Sequence, residues 1–345
     1  MTVAAGLARS LLAMAVERGA SRRTLLRASG IAAADLEDVD ARLPFGCYVD
    51  LMRAAKALTQ DCALPLEFGS SVDMGEFSVV GMIFRTCETV QESLHQINRY
   101  GRLIVEVETR EPERFQFARC ERGLWLIDTR SDPLYFPELT ETTFARFAGM
   151  TRPVAGQLIR EVNVTHEEPP HRAAYDAVFQ APVRFSAKWN AMLLDEKRLT
   201  LPIRQEPRYA FGIFSDRAEA LCARLEHARS VRGQVEKAIL PILHSGEVTA
   251  QEVARRLGVG RQTLYRRLKA EGVTFGAVLD RLRQSLATDY LTGGKLAVNE
   301  VAYLVGFSEP AAFSRAFKRW TGLSPRQLKA PEREPGIGGT PPEEC

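Results

Sequence analysis

The chain predicts an α+β N-terminal domain followed by an all-α C-terminal domain, in which two helix-turn-helix motifs are joined by a linker helix. Three observations predict it. One helical pattern is written twice near the C-terminus, a stretch of helical apolar spacing lies between the copies, and upstream a helical run gives way to strand-like alternation. At 345 residues the chain can build two hydrophobic cores, and 45% apolar with 26% charged residues is ordinary for a soluble protein.

The N-terminal part reads mainly helical at first. Val3 to Arg18 forms an amphipathic helix, Ser21 caps a second through Arg27, and Phe45 to Thr59, Val79 to Thr86 and Thr89 to Tyr100 follow. The Arg22-Arg23 pair is read as a solvated helix face rather than a phosphate contact. Leu7 to Val16 is apolar, but Arg9 interrupts it and no basic region precedes it, so neither a signal peptide nor a membrane span is expected and the chain is placed in the cytoplasm. The cysteines Cys47, Cys62, Cys87, Cys120, Cys222 and Cys345 show no C-x-x-C and read as scattered reduced thiols.

Strand-like alternation begins at Leu103. Leu103 to Thr109, Arg114 to Arg119 and Leu124 to Asp128 after Gly123 read as antiparallel strands. Pro137 to Met150 returns to helix, Leu158 to Thr165 alternates again, Pro169 to Phe179 is helical and Pro182 to Phe185 is a short strand. Aromatics of this region, with Trp125 and Tyr135 foremost, are pocket candidates in which Arg130 or Arg99 would meet an acidic group, although strand aromatics more commonly build core. His166 and His171 invite a metal, but Pro169 and Pro170 break the helix that would align them and no Cys or third His lies near in sequence. No metal site and no cofactor are expected. Arg-x-x-x-Arg occurs at Arg18/Arg22, Arg23/Arg27, Arg110/Arg114 and Arg204/Arg208, a spacing that arises cheaply in an Arg-rich chain.

Domain boundaries follow from these runs: an N-terminal domain over 1–205, a connector over 206–230 with a polar helix at Ser215 to His227, an all-α domain over 231–330, and a Pro/Gly-rich tail over 331–345 that cannot build a core. Val231 to Leu243 opens the third segment and is expected to pack Val235, Ile239 and Leu243 inward. Charge is divided along the same line. Pro241 to Ala330 carries fourteen Lys/Arg against seven Asp/Glu, or +7, and the rest thirty-two against thirty-six, or −4, within a whole-chain balance of +3.

The repeated pattern fills Glu247 to Lys329. Glu-Val-Ala-x-x-Leu/Val-Gly-Val/Phe recurs at Glu252 to Val259 and Glu300 to Phe307, and each copy continues through a turn into a second helix ending on Lys269 or Lys318. In the first copy Val253, Ala254 and Leu257 share a face, Gly258 makes the turn, and Thr249 with Glu252 forms a capping box. Leu264 and Leu268 then point inward, so Arg261, Gln262, Tyr265, Arg266 and Lys269 are left outward. Arg pairs with the guanine edge and Gln with the adenine edge in a major groove, which makes Arg261, Gln262, Tyr265 and Arg266 base-reading candidates. In the second copy Val301, Val305, Phe307, Phe313 and Phe317 face inward, Ser308 is the expected N-cap and Pro310 suits the first turn. Ser314 and Arg315 are its base-reading candidates, so direct readout weighs on the first copy. Arg255, Arg256, Arg267, Lys269, Lys318 and Arg319 are candidates for phosphates. Between the copies Phe275 to Leu291, stopping at Gly293-Gly294, spans roughly 25 Å, enough to hold two readers in successive major grooves of a non-palindromic site.

These residues resemble the AraC/XylS family of bacterial transcription regulators. The likeness is carried by Glu252-Val253-Ala254, Leu257-Gly258, Gly306-Phe307-Ser308-Glu309, Phe313 to Lys318, Trp320-Thr321-Gly322 and Ser324-Pro325. On the family motif, Gln262, Tyr265 and Arg266 fall at the first reader's base-contacting positions and Ser314 and Arg315 at the second's; Pro310-Ala311 stands where some members carry amides. The N-terminal region is similar to the family's arabinose-binding-like domain through Gly69, Gly75, Gly81 and the Thr89 to Tyr100 helix. Tyr175, Phe179, Pro182, Val183, Phe185 and Asn190 carry the same likeness further along. The resemblance implies a non-enzymatic regulator, an activator more than a repressor. It implies double-stranded promoter DNA and RNA polymerase as partners, an unknown small-molecule effector and a homodimer, with no membrane. Two other readings stand beside it. One is a DNA-binding protein whose N-terminal domain only dimerises. The other is an enzyme on a DNA-targeting module, which would require an activated Cys or a catalytic constellation that the sequence does not offer.

Overall fold

The computed structural model describes residues 1–120, 122–246, 248–293 and 296–329. Glu247, Gly294, the 331–345 tail and Cys345, which the sequence reading uses, lie outside them. The chain divides into two compact units, Met1–Ala223 and a second beginning at Arg224.

The first unit mixes helices and sheets. It runs β1 (Thr2–Ala4), α1 (Ala5–Glu17), α2 (Arg22–Ser29), β2 (Arg42–Pro44), α3 (Phe45–Thr59), α4 (Leu64–Ser71), α5 (Val79–Thr86), α6 (Val90–Tyr100) and β3 (Val105–Glu106). It continues with β4 (Phe115–Cys120), β5 (Gly123–Asp128), α7 (Glu138–Ala155), β6 (Ile159–Asn163), α8 (Arg172–Phe179), β7 (Val183–Arg184), β8 (Asn190–Leu194) and α9 (Arg208–Arg229), which crosses the division between the units. Ser21 caps α2 as expected, and Thr89, expected inside the helix, instead caps α6; each accepts from the backbone N–H three residues on. The expected helix at Val3 starts two residues later, because Thr2–Ala4 is drawn into a small antiparallel sheet of order β2-β1-β3. The strand expected over Leu103 to Thr109 is reduced to Val105–Glu106 and joins that sheet rather than the larger one.

The larger sheet has the order β4-β5-β8-β6-β7. β4 and β5 pair antiparallel as expected, and all the other pairings are antiparallel too except β6 with β7, which is parallel. Its central strand, β8, was not anticipated. All five residues of Asn190–Leu194 are buried, so no alternation marks them. α4 was not anticipated either. It lies against α7 at a crossing made by glycines: a Cβ on Gly69 would sit 2.4 Å from the Thr142 carbonyl oxygen, and one on Gly149 would sit 2.3 Å from that of Ser70. Thr142 Oγ1 donates to the Pro65 carbonyl across the same contact. α7 itself runs five residues past the expected Met150 end, through Pro153.

The second unit is all helical: α10 (Val231–Ile239), α11 (Ala250–Arg256), α12 (Arg261–Ala270), α13 (Phe275–Thr292), α14 (Val298–Leu304), α15 (Pro310–Thr321) and α16 (Pro325–Leu328). Val235, Ile239 and Leu243 are buried as expected, although the chain tightens to a 3-10 helix at Leu240. They join Val253, Ala254, Leu264, Leu268, Phe275 and Val278 in one core, while Ala287, Leu291, Val301, Val305, Phe313 and Phe317 form a second. α13 feeds both cores, and Leu286 packs against each.

Candidate nucleic-acid interface

Two helix pairs, α11 with α12 and α14 with α15, carry the outward residues of interest. In the first, Gly258 at φ +66 turns the chain and Leu264 and Leu268 anchor α12 in the core. The outer side therefore presents Arg261, Gln262, Tyr265, Arg266, Arg267 and Lys269, all exposed. The Arg261 guanidinium lies over the Tyr265 ring at 5.4 Å, one helical turn away, which holds two base-reading candidates as a stacked pair.

The first turn of α11 differs from expectation. Thr249 accepts from the Glu252 backbone N–H at 3.2 Å, but the Glu252 carboxylate does not reach back to complete a capping box. It receives hydrogen bonds from Arg255 and Arg256 at 2.8–2.9 Å instead. Those bonds, led by Arg255, hold the Glu252 carboxyl down to about 2. Two of the phosphate candidates are thus already paired. Arg319 approaches Asp280 at 3.8 Å, whereas Arg266, Arg267, Lys269, Arg315 and Lys318 form no ion pair among the described residues.

In the second pair Phe313 and Phe317 bury the inner side of α15, leaving Ala311, Arg315, Lys318 and Arg319 exposed. The N-cap is Glu309, not Ser308, and its side chain makes no capping hydrogen bond; Pro310 occupies the first turn as expected. Ser314 donates its hydroxyl to the Pro310 carbonyl at 2.9 Å, so only its acceptor lone pairs face outward. The pair is fixed at its turn. Gly306 has φ +80, and a Cβ there would lie 2.2 Å from the Leu243 carbonyl oxygen in the first core. Arg283 of α13 donates to the Gly306 carbonyl at 3.2 Å and lies over the Phe307 ring at 4.8 Å.

The three pocket candidates of the first unit are not gathered together. Asp128, Leu126 and Leu124 point to one face of β5 and Trp125 to the other, where Arg122 lies over its ring at 5.7 Å. Arg130 belongs to the Asp128 side, where Thr140 of α7 and the Phe136 carbonyl accept from it and Asp128 lies 3.4 Å away. Burial pushes its guanidinium down to about 10 against the pull of Asp128. Burial also acts to raise the Asp128 carboxyl, but the charges of Arg114 and Arg130 outweigh it and leave the group below its usual range. Arg130 is therefore a structural cation paired with Asp128, although its Nε makes no hydrogen bond among the described residues. Tyr135 is 52% exposed, with Arg53 over its ring at 5.9 Å.

His166 and His171 do converge, around Tyr175, whose hydroxyl donates to Glu141 and lies 3.1 Å from His166 Nε2, with His171 Nε2 3.6 Å from Glu141. Among the described residues no group of three or more His, Cys, Asp or Glu is placed to hold a metal.

Sequence reading missed Arg146. It sits on α7 with its residue surface 8% exposed, and its Nε and Nη2 have no hydrogen-bond partner among the described residues. Phe68 and Phe77 lie beneath its guanidinium at 5.6 and 5.8 Å, and the hydroxyl of fully buried Tyr48 is unpartnered too. An uncompensated buried charge costs on the order of several kcal/mol, and burial draws this guanidinium below its ordinary range. No sequence signal marks it, since a lone Arg in a helix ordinarily faces solvent.

The second unit thus has the build of a DNA-reading domain, with cations and base-pairing side chains on the outer sides of two anchored helices. Comparison with known proteins agrees. The arabinose-binding N-terminal domain of AraC transcription regulators matches residues 19–203, and a helix-turn-helix domain matches residues 253–330. The first match alone spans more than half of the chain, which belongs to the AraC family of transcription regulators. It is 26% identical over 334 residues to the ornithine utilization regulator of Pseudomonas aeruginosa, covering 93% of this chain and 94% of that protein. It is 26% identical over 324 residues to the HTH-type transcriptional regulator VirS of Mycobacterium tuberculosis, covering 91% and 92%. Among solved structures, the transcriptional regulator CdpR of Pseudomonas aeruginosa matches at 21% identity with a TM-score of 0.39, over 89% of this chain and 96% of that one. The chain is therefore a DNA-binding transcription regulator with an N-terminal domain of a ligand-binding type. No helix among the described residues is long and apolar enough to cross a membrane.

Proposed function

We propose that this regulator reads promoter DNA with α12 and α15 in two successive major grooves, and that a small molecule bound by the N-terminal unit changes that engagement. The observation that carries the reading is the outer side of α12, where Gln262 and Arg266 stand exposed opposite the buried Leu264 and Leu268. Arg261, Gln262, Tyr265 and Arg266 read bases in the first groove, and Arg315 with Ser314 in the second. Arg267, Lys269 and Lys318 neutralise phosphates, and Arg255, Arg256 and Arg319 add to them once released from Glu252 and Asp280. α13, at about 1.5 Å per residue, is roughly 27 Å long, and with the turns that flank it joins the two readers across successive grooves.

The remaining parts of the proposal rest on family membership. The protein works in the cytoplasm, self-associates through its N-terminal unit, and activates transcription through contact with RNA polymerase. A likeness to a regulator of ornithine utilization favours a metabolite as the signal. Footprinting of purified full-length protein on its own and neighbouring promoters, with and without metabolites of the neighbouring gene products, tests the scheme. Protection over two successive grooves that one metabolite alters is the expected result. Protection indifferent to every metabolite would leave an N-terminal unit that only dimerises, and the absence of sequence-specific protection would sink the groove assignment.

A further inference from the structure

The first unit gives its other deeply buried arginine, Arg130, a carboxylate partner and leaves Arg146 without one among the described residues. Arg130 has Asp128, Thr140 and the Phe136 carbonyl around it. Arg146, on α7, makes no ion pair or hydrogen bond among the described residues; Phe68 and Phe77 lie against its guanidinium, and the one charged side chain other than Tyr48 that acts on it is another cation, Arg114, itself engaged by Asp128. Phe68 and Phe77 cover the flat side of the guanidinium and leave its N–H edge unspent. Tyr48 adds a buried hydroxyl within electrostatic reach of Arg146, also without a partner among the described residues. A fork of N–H donors beside a phenol, with aromatic walls and with the one acid that acts on the phenol, Glu138, engaged by Lys56, is the donor set that a carboxylate accepts bidentately while an apolar body packs on the rings.

We propose that Arg146 and Tyr48 anchor a binding site for a small monocarboxylate with an apolar body, between α3, α4 and α7, and that this is the effector class of the N-terminal unit. The inference rests on the effector reading above. Arg146 pairs with both carboxylate oxygens, Tyr48 donates to one of them, and Phe68 and Phe77 meet the hydrocarbon part. Binding relieves the uncompensated charge, so the fold without ligand holds the site ready at a cost in stability that the ligand removes.

Thermal unfolding of the full-length protein is the test, with a panel of straight-chain acids from acetate to octanoate together with benzoate and phenylacetate, each beside its amide. At least one acid should raise Tm by several degrees while its amide does not. Arg146→Met should abolish that shift, and without ligand should unfold no lower than the wild type, because it removes a charge that makes no hydrogen bond. Tyr48→Phe should weaken the active acid on the order of tenfold, which keeps the test independent of how well Arg146→Met folds. The proposal is overturned if no acid shifts Tm, if the shift survives in Arg146→Met, or if acid and amide act alike. Footprinting then separates the two levels of inference. A footprint altered by a neutral or cationic metabolite, equally in the wild type and Arg146→Met, would keep the effector reading and discard the carboxylate site; one altered by nothing would discard both.

Discussion

Arg266 stands on the exposed side of α12, with no ion pair among the described residues to hold it back. If it contacts a guanine edge, Arg266→Ala should cost about 1–3 kcal/mol at one base position and leave the others unchanged. Binding measured across single-base operator variants checks this, and uniform weakening would demote Arg266 to a phosphate contact. Glu252 makes the opposite prediction. Its carboxyl, held down to about 2, stays ionised at any pH where the protein is assayed, so a change of pH does not release Arg255 and Arg256, whereas substitution does. Glu252→Gln should raise DNA affinity a few-fold at low salt and steepen the salt dependence by about one to two units of slope. Unchanged slope in a salt titration would mean that these two arginines never reach phosphate.

At the scale of elements, glycine turns separate two kinds of joint. Gly258 and Gly306 occupy the same position in the two copies, and both have positive φ. A Cβ on Gly258 would meet nothing within 4 Å, whereas one on Gly306 would strike the Leu243 carbonyl at 2.2 Å. Gly258→Ala should therefore cost about 1 kcal/mol from the left-handed backbone alone. Gly306→Ala should cost about 3 kcal/mol, because it also forces the second helix pair off the first core. Denaturant unfolding of the two variants measures the difference; equal losses would show that the repeat is joined only through α13. The repeat itself was legible from Glu252 to Lys318, because helical periodicity and a turn glycine are local properties. What was lost is what tertiary structure decides. Ala191–Leu194 is apolar throughout and Asn190 before it is buried as well, because both faces of β8 are covered, so no period-two signal survives. Ser308 and Glu309 compete to start α15, and the chain begins the helix at Pro310 with Glu309 as its cap, one residue past the expected Ser308. Arg146 and Arg130 look alike in sequence; only the fold gives one a carboxylate and the other two aromatic rings.

Across the whole molecule, charge is segregated: +7 between Pro241 and Ala330 and −4 elsewhere. Net charge alone would suggest a steep electrostatic contribution to DNA binding, but the ion pairs reduce it. Of six phosphate candidates, Arg255 and Arg256 are held by Glu252 and Arg319 faces Asp280, which leaves Arg267, Lys269 and Lys318 unpaired among the described residues. Three phosphates neutralised by one chain correspond to a log–log salt slope of about −3, and all six to about −5. The wild type is expected near the shallower value, since breaking the Glu252 pairs returns little free energy for exposed groups. Affinity measured between 50 and 300 mM KCl, roughly the range over which counterion release is read, decides between the two. A slope near −5 per chain would mean that DNA strips Arg255 and Arg256 from Glu252, making the first turn of α11 a part of the binding surface that rearranges on contact. A slope near −3 would leave those pairs as a fixed structural feature and assign the electrostatic work to α12 and α15.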